Sequence, residues 1–449
     1  MPKMIKIKKG LDIKLIGEAE KVVAELDVKN FAIKPTDFIG VFPKMIVKEG
    51  DFVKAGSPLF IDKYRDNIQF TAPVSGKITE LKRGPKRVLL EVKIEADGKN
   101  DYIDFGKADP KNLDKKDVIA KLLESGTWPF IRQRPYSTIA NPNDEPKAIF
   151  ISAFDSNPLA PDYDLLVHGQ GETFQAGLDA LVKLTKGKVH LNVNNMAAPS
   201  KVYSNSKNVQ INEFSGPHPA GNIGTQIAHI DPINKGDIVW YLYPQDVLTI
   251  GRLFLEGKYD TTRLIAFTGS EVLSPKYYKT KLGASIEAFA IKNVSDVKKR
   301  FISGNVLTGT KIESTGYVCS YHTHVTVIPE GDQHQFMGWL IPSPKKHSFY
   351  RTALSWMTPN KKFKLNTNLN GGIRAFVMTG EFEKVFPMDI YPMQLIKAIM
   401  VEDIDAMENL GIYEVDEEDF ALCEYISTSK IEIQSVVRHG LDMIRKEMS

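Results

Sequence analysis

Cysteine is nearly absent from this chain. Cys319 and Cys423 are the only two in 449 residues, and no CxxC occurs. That excludes a disulfide framework and any iron–sulfur cluster ligated by this chain alone. Long apolar runs are also missing. No stretch of 18 or more apolar residues exists, so no helix is predicted to span a bilayer. The opening MPKMIKIKKG carries positive charge without an apolar core behind it, which predicts no signal peptide and a cytosolic default. Nucleophile elbow, phosphate loop, paired-carboxylate signature and low-complexity tract are all lacking. A concentrated basic face interleaved with aromatics is missing too, which argues against nucleic-acid binding.

What is present is ordinary for a globular protein: 42% hydrophobic and 25% charged residues. The length implies about three or four domains. Net charge is only +3, yet it is unevenly placed. Residues 1–100 hold 20 Lys+Arg against 14 Asp+Glu, whereas residues 401–449 hold 4 against 13. A basic head and an acidic tail suit protein docking surfaces, or two solvated faces.

Residues 43–81 carry the clearest pattern. PKMIVKEGDFVKAGSPLF and IQFTAPVSGKITEL each read as two brief strands joined at a glycine turn. The pair resembles the barrel-sandwich fold of biotinyl and lipoyl carrier domains. Such a carrier presents one lysine at a hairpin tip, and Lys63 is the candidate here. The return path KYRDNIQFTAP is longer and more polar than that pattern, so Lys63 is expected to be unmodified.

The remaining chain reads as an α+β multidomain protein. Residues 1–110 are predicted to form N-terminal strands wrapping the carrier-like module. Residues 111–268 read as a degenerate Rossmann-like α/β domain, because strands (KAIFISAFD, DYDLLVHG, KVHLNVN, DIVWYLY, TRLIAFTG) alternate with helices. A helix is expected over 113–126, with Asp114 as N-cap and Gly126 as stop. Residues 269–385 suggest a small β-grasp-like domain whose turn-rich extension ends in a strand RAFVMTG. Residues 386–449 read as a helical domain.

Several motifs bear on chemistry. HGQGETFQAG has Gly169 and Gly171 before a helix, but Phe174 stands where a dinucleotide site needs a third glycine, and Glu172 puts negative charge where pyrophosphate would bind. No NAD or FMN site is expected there. His322 and His324 share a face of a predicted strand, yet a metal would want two more ligands than Tyr321, Thr323 and Thr326 supply. His218, in GPHPAGN, sits in a rigid turn that either shapes the loop or hydrogen-bonds a ligand. WPFIRQRPY interleaves Trp128, Phe130 and Tyr136 with Arg132 and Arg134. Flat walls plus donors suit a quinone, and the same residues suit an interdomain linker. VDEEDF at 415–420 reads as an acidic helix start, with Asp416 and Asp419 opposing the helix dipole.

In order, IKIKKGLDI, PKMIVKEGD, FTAPVSGKI, RGPKRVL, IRQRPY, KAIFISAFDSNPLAP, GPHPAGNIGTQ, YPQDVLTIGRLFLEG, LGAS, ISGNVLTGT, MDIYPMQLI and VDEEDFALC resemble the A subunits of the Na⁺-translocating NADH:quinone reductases over essentially the whole chain. The resemblance implies a peripheral subunit on the cytoplasmic face of the bacterial inner membrane, partnered by integral membrane subunits. It implies a complex that passes electrons from NADH to quinone and exports sodium, with NADH oxidation, flavins and iron–sulfur centres on other subunits. This chain would carry no catalytic residue, bound cofactor or metal of its own. It also implies kinship in fold with the flavin-binding soluble subunit of respiratory complex I and with the C subunit of the Rnf complex. Many members have Arg-Pro-Phe where this chain has Arg134-Pro135-Tyr136. Phe130, Tyr136 and His218 are the expected quinone contacts. The alternatives are a purely structural docking role in the same complex, or a biotin or lipoyl carrier.

Overall fold

Four sheets and a helical C-terminal region make up the computed structural model, which describes residues 3–333, 335–338 and 340–448. Near the N-terminus, a four-stranded sheet (Asn30–Ile33, Leu89–Ala96, Gly76–Arg83, Phe52–Val53) faces a three-stranded one (Pro43–Met45, Pro58–Asp62, Gln69–Thr71). Buried Leu59, Phe60, Phe70, Ile78 and Val92 contribute to the core of this sandwich, with the Phe60 and Phe70 rings stacked at 4.5 Å. Lys63 is exposed just past Asp62. The hairpin end is tied down: Arg65 Nε donates to Asp62 at 2.9 Å, and its Nη1 donates to the Ile139 carbonyl at 3.0 Å.

The central sheet has seven strands. Lys3–Lys6, Gln210–Ser215, Val189–Asn194, Ala148–Ser152 and Val239–Leu242 run parallel in that order. Arg132–Arg134 and Thr138–Ile139 add an antiparallel edge. Alternation along the buried strands assigns the two faces. Ile149, Ile151, Trp240 and Leu242 share a core with helices Gly171–Val182 and Pro244–Glu256. Ala148, Phe150, Val239 and Tyr241 share another with helix Ile223–Ile230 and the C-terminal helices Pro392–Met400, Ala421–Ile426 and Ile433–Glu447. The helices Gly171–Val182 and Pro244–Glu256 approach backbone to backbone, since a Cβ at Gly177 would overlap the Val247 carbonyl and one at Gly251 that of Thr173.

The expected mixture of folds is present, with local differences. Residues 3–6 and 20–25 do not wrap the sandwich. They pair with Gln210–Ser215 and with Lys276–Lys281, as edge strands of other sheets. Thr262–Thr268 does not continue the seven-stranded sheet. It lies inside a six-stranded sheet (Thr310–Ile312, Lys299–Ser303, His324–Pro329, Thr262–Thr268, Lys276–Lys281, Glu20–Glu25). DYDLLVHG holds a short helix, Tyr163–Leu166, in place of a strand. The Asp162 carboxylate accepts from the backbone of Asp164 and Leu165 there, a local capping bond that outweighs the apolar run. Residues 374–380 form no strand, and the strand predicted through both histidines begins only at His324. The helix Lys115–Ser125 has the Asp114 cap, accepting from Asp117 N at 2.9 Å, and the left-handed Gly126 stop.

Candidate functional site

In an open parallel sheet, ligands bind beyond the carboxyl ends of the strands, where the strand order reverses. Here that point lies between Ala148–Ser152 and Val239–Leu242. From Ser152 the chain runs into Asp155, Ser156 and Asn157. From Leu242 it enters a helix through a capping box of Tyr243 and Asp246. Arg132 pairs across from Tyr241 on the adjacent strand. Its guanidinium lies 4.6 Å from the Tyr241 ring centre, 5.4 Å from that of Tyr243 and 4.3 Å from that of Tyr321. This cation–aromatic cluster takes up the space beside the strand end.

The other side of this strand-order reversal is polar. His218 is buried, its Nδ1 3.1 Å from Ser156 Oγ. Ser156 Oγ accepts from Gly221 N at 2.8 Å, which leaves its proton for His218 Nδ1. A neutral imidazole then carries its own proton on Nε2, and that buried nitrogen has no partner among the described residues. Burial pushes His218 down to about 4, against the pull of Asp155 and Asp12. His324 is also buried, with neither ring nitrogen partnered among the described residues, and burial lowers it while Asp155 opposes. Burial, then Asp155, raises the Tyr163 phenol. Asp155, whose Oδ1 accepts from Asn157 N at 2.8 Å, thus acts on His218, His324 and Tyr163 through its field and not through a bond. Nothing local in the sequence marks it. His322 turns elsewhere, to Ser303 Oγ at 2.9 Å. Among the described residues no cluster of three or more His, Cys, Asp or Glu side chains is placed to hold a metal.

The three residues singled out from sequence do not touch one another. Phe130 is 2% exposed, its ring 6.4 Å from that of Tyr259 and 5.0 Å from the Arg263 guanidinium. Tyr136 is half-buried, edge-on to Tyr413 at 6.4 Å. Their segments nonetheless converge on residues 416–419. Arg134, fully buried, donates to Asp419 Oδ2 at 2.7 Å and Glu418 Oε1 at 2.6 Å. Asn222, four residues past His218, donates to the Glu418 carbonyl at 3.4 Å. Arg438 donates to the Tyr136 carbonyl at 3.0 Å and pairs with Glu417 at 3.3 Å. Four of the thirteen acids in the tail, Asp416, Glu417, Glu418 and Asp419, thus face inward here, whereas Glu402, Asp403 and Asp405 are exposed. Asp416 and Asp419 also stand at the expected acidic helix start, where Asp419 Oδ2 accepts from Asp416 N at 2.9 Å in a capping box.

Two arginines against four clustered carboxylates favour retained protons. Burial and neighbouring acids raise Glu417 to about 8 and Glu418 to about 7. A carboxyl protonated in the fold but ionised when unfolded loses its stabilising share as pH rises from about 4.5 toward those values. Burial lowers His190 to about 4 and His322 to about 3, besides His218 and His324. Their unfolded forms take up protons near pH 6.5, so their share is complete above that pH and is lost as pH falls toward 4. Four histidines outweigh two partly exposed glutamates below pH 6.5. The thermal midpoint is expected to peak at about pH 6–7 and fall on both sides. A midpoint that changes monotonically from about pH 5 to 9 would contradict this titration pattern.

Comparison with known proteins agrees with this architecture. Residues 5–97 match the NqrA N-terminal barrel-sandwich hybrid domain, 113–259 the NqrA second alpha/beta domain, and 264–314 the NQRA C-terminal domain. The chain is 42% identical to the A subunit of the Na(+)-translocating NADH-quinone reductase of Neisseria meningitidis serogroup B, over 99% of this chain and 100% of that protein. Identity is 39% to the corresponding protein of Yersinia pestis bv. Antiqua, with the same coverage. Among solved structures, the air-oxidized NAD+-reducing [NiFe]-hydrogenase aligns at 11% identity and a TM-score of 0.38, covering 74% of this chain and 61% of that one. With full-length identity near two residues in five and three matching domains in order, the chain belongs to the family of A subunits of the Na(+)-translocating NADH-quinone reductases.

Proposed function

We propose that this chain is a peripheral subunit, on the cytoplasmic face of a bacterial inner membrane, of a complex that passes electrons from NADH to quinone and exports sodium. It docks to integral membrane subunits, while NADH oxidation, flavins and iron–sulfur centres reside on other subunits. It contacts quinone at the carboxyl-end crevice. The observation that carries this contact is the buried, unpartnered Nε2–H of His218, a neutral donor matched to a quinone carbonyl oxygen. Tyr136 offers the half-buried ring on the 128–136 segment, whereas Phe130, enclosed by Tyr259 and Arg263, supports that segment from behind. The alternative, docking without quinone, draws on the Arg132–tyrosine cluster that takes up one side of the crevice.

Titration of the full chain with a short-tail quinone separates the two. Loss of one neutral hydrogen bond costs about 0.5–1.5 kcal/mol, so His218→Ala is expected to bind several-fold more weakly. Quinone affinity unchanged in the variant, or absent in the parent, would leave docking as the role of this chain.

A further inference from the structure

Between the strand His324–Pro329 and the helix Pro392–Met400, the regular structure among the described residues is limited to the short 3-10 helices Leu354–Met357 and Phe382–Lys384. It is nonetheless held in place. Phe363 is buried, and its backbone bonds to Lys14 O at 2.8 Å and Ile16 N at 3.0 Å. Gly331 N donates to Thr367 Oγ1 at 2.7 Å, Asn368 Nδ2 to Gln333 O at 3.1 Å, and Ser429 Oγ to Ala375 O at 2.9 Å. Lys346 Nζ donates to the Gly338 carbonyl and Lys361 Nζ to that of Pro344, so the loops are knitted to one another.

This braced segment turns large apolar side chains outward: Phe336 is 86% exposed, Ile373 72% and Trp356 53%, with Leu354, Met357 and Val377 also exposed. Single exposed apolar residues are common, but a run of them within one segment marks a contact surface. Charge identifies the contact. Residues 331–380 hold seven Lys and Arg against one acid, Asp332, which is paired with Lys298. Lys362 and Lys364 pair with Glu18 and Glu271. Among the described residues no carboxylate pairs with Lys345, Lys346, Arg351, Lys361 or Arg374. The Arg351 guanidinium lies 5.2 Å from the Trp356 ring centre, a pairing suited to the headgroup level of a bilayer.

We propose that this face rests on an anionic phospholipid surface, with Trp356, Met357 and Phe336 entering the interfacial layer and the cations that lack a carboxylate partner meeting lipid headgroups. The inference rests on the peripheral-membrane reading above and extends it. Lipid fits better than a folded protein partner, because the centre of a protein interface is depleted of charge and shape-matched, whereas here cations alternate with apolar side chains on irregular loops. Irregular backbone cannot enter the hydrocarbon, so contact is limited to side-chain depth.

Flotation of the full chain with phosphatidylcholine vesicles, with and without phosphatidylglycerol, tests this. Binding is expected only to the anionic vesicles, weakening as salt rises. Two fewer cations at the surface, in Lys345→Glu with Arg374→Glu, should cut partitioning by tenfold or more on the order-of-magnitude scale of one surface cation each. Trp356→Ser with Met357→Ser should cut it several-fold, and both pairs are exposed, so unchanged thermal midpoints are the control for folding. Failure to bind anionic vesicles, or binding unaffected by both pairs, overturns the proposal. If the chain then still assembles with membrane subunits, the face docks on protein. The quinone titration reads a different contact without vesicles, so either result can fail alone.

Discussion

Arg134→Ala is expected to destabilise the junction between the central sheet and the C-terminal helices by about 3–5 kcal/mol, the cost of removing one partner from a buried ion pair. Arg134 is fully buried and joins Asp419 at 2.7 Å and Glu418 at 2.6 Å, with Asp416 at 3.8 Å. Without it, these acids face one another across a site whose remaining arginine, Arg438, already serves Glu417 and Asp442. The variant's deficit is expected to shrink as the pH is lowered, because protonation removes the repulsion that Arg134 offsets. Thermal unfolding of parent and variant at neutral and mildly acidic pH checks both statements. A deficit below about 1 kcal/mol, or one that grows in acid, would show that the cluster is solvated like a surface pair.

Trp128→Ala is expected to cost about 3–5 kcal/mol, the range for deleting a large buried aromatic. Trp128 has no exposed surface. Its indole stands edge-on to Trp240 at 5.5 Å, and its Nε1 donates to the Ala140 carbonyl at 2.8 Å. The residue thus pins both ends of the 128–140 segment, and truncation leaves a cavity and an orphaned carbonyl together. Trp128→Phe keeps most of the volume and should recover more than half of the loss. Hydrogen exchange at residues 128–140, read beside the global thermal midpoint, tells local loosening from general destabilisation. Equal losses in the two variants would mean that the hydrogen bond, not the ring, holds the segment.

Local signals in the sequence are legible where the physics is local. Asp114 and Gly126 bound a helix because capping and left-handed turns need only neighbouring residues. IQFTAPVSGKITEL holds two strands as read, Gln69–Thr71 and Gly76–Arg83, whereas PKMIVKEGDFVKAGSPLF holds three, Pro43–Met45, Phe52–Val53 and Pro58–Asp62, where two were expected. Thr262–Thr268 is a strand, as its composition indicates, but nothing in its alternation says which sheet it joins. Asp162 is a cap in plain view, yet the apolar run after it has the pattern of a strand, and pattern alone does not rank the two signals. The candidate site is legible only in part. His218 and the 128–136 segment stand out, whereas the joining of Arg134 to Glu418 and Asp419 spans some 280 residues and has no local trace. Asp155 and His324 acquire meaning only once two sheets meet. Phe130 reads as an available wall because aromatic composition does not reveal whether a ring faces outward.

The threading of the N-terminal strands bears on how the molecule is made. Lys3–Lys6, Glu20–Glu25 and Asn30–Ile33 serve three different sheets in succession, beginning with partners far down the chain. At about 5–20 residues per second, the partner of the first strand leaves the ribosome roughly 10–40 seconds after the strand itself, and that of the second later still. These strands therefore wait long for their places, with backbone groups open to other chains in the interval. Lysines at 3, 6, 8, 9 and 14 charge that waiting segment and keep copies of it apart during translation.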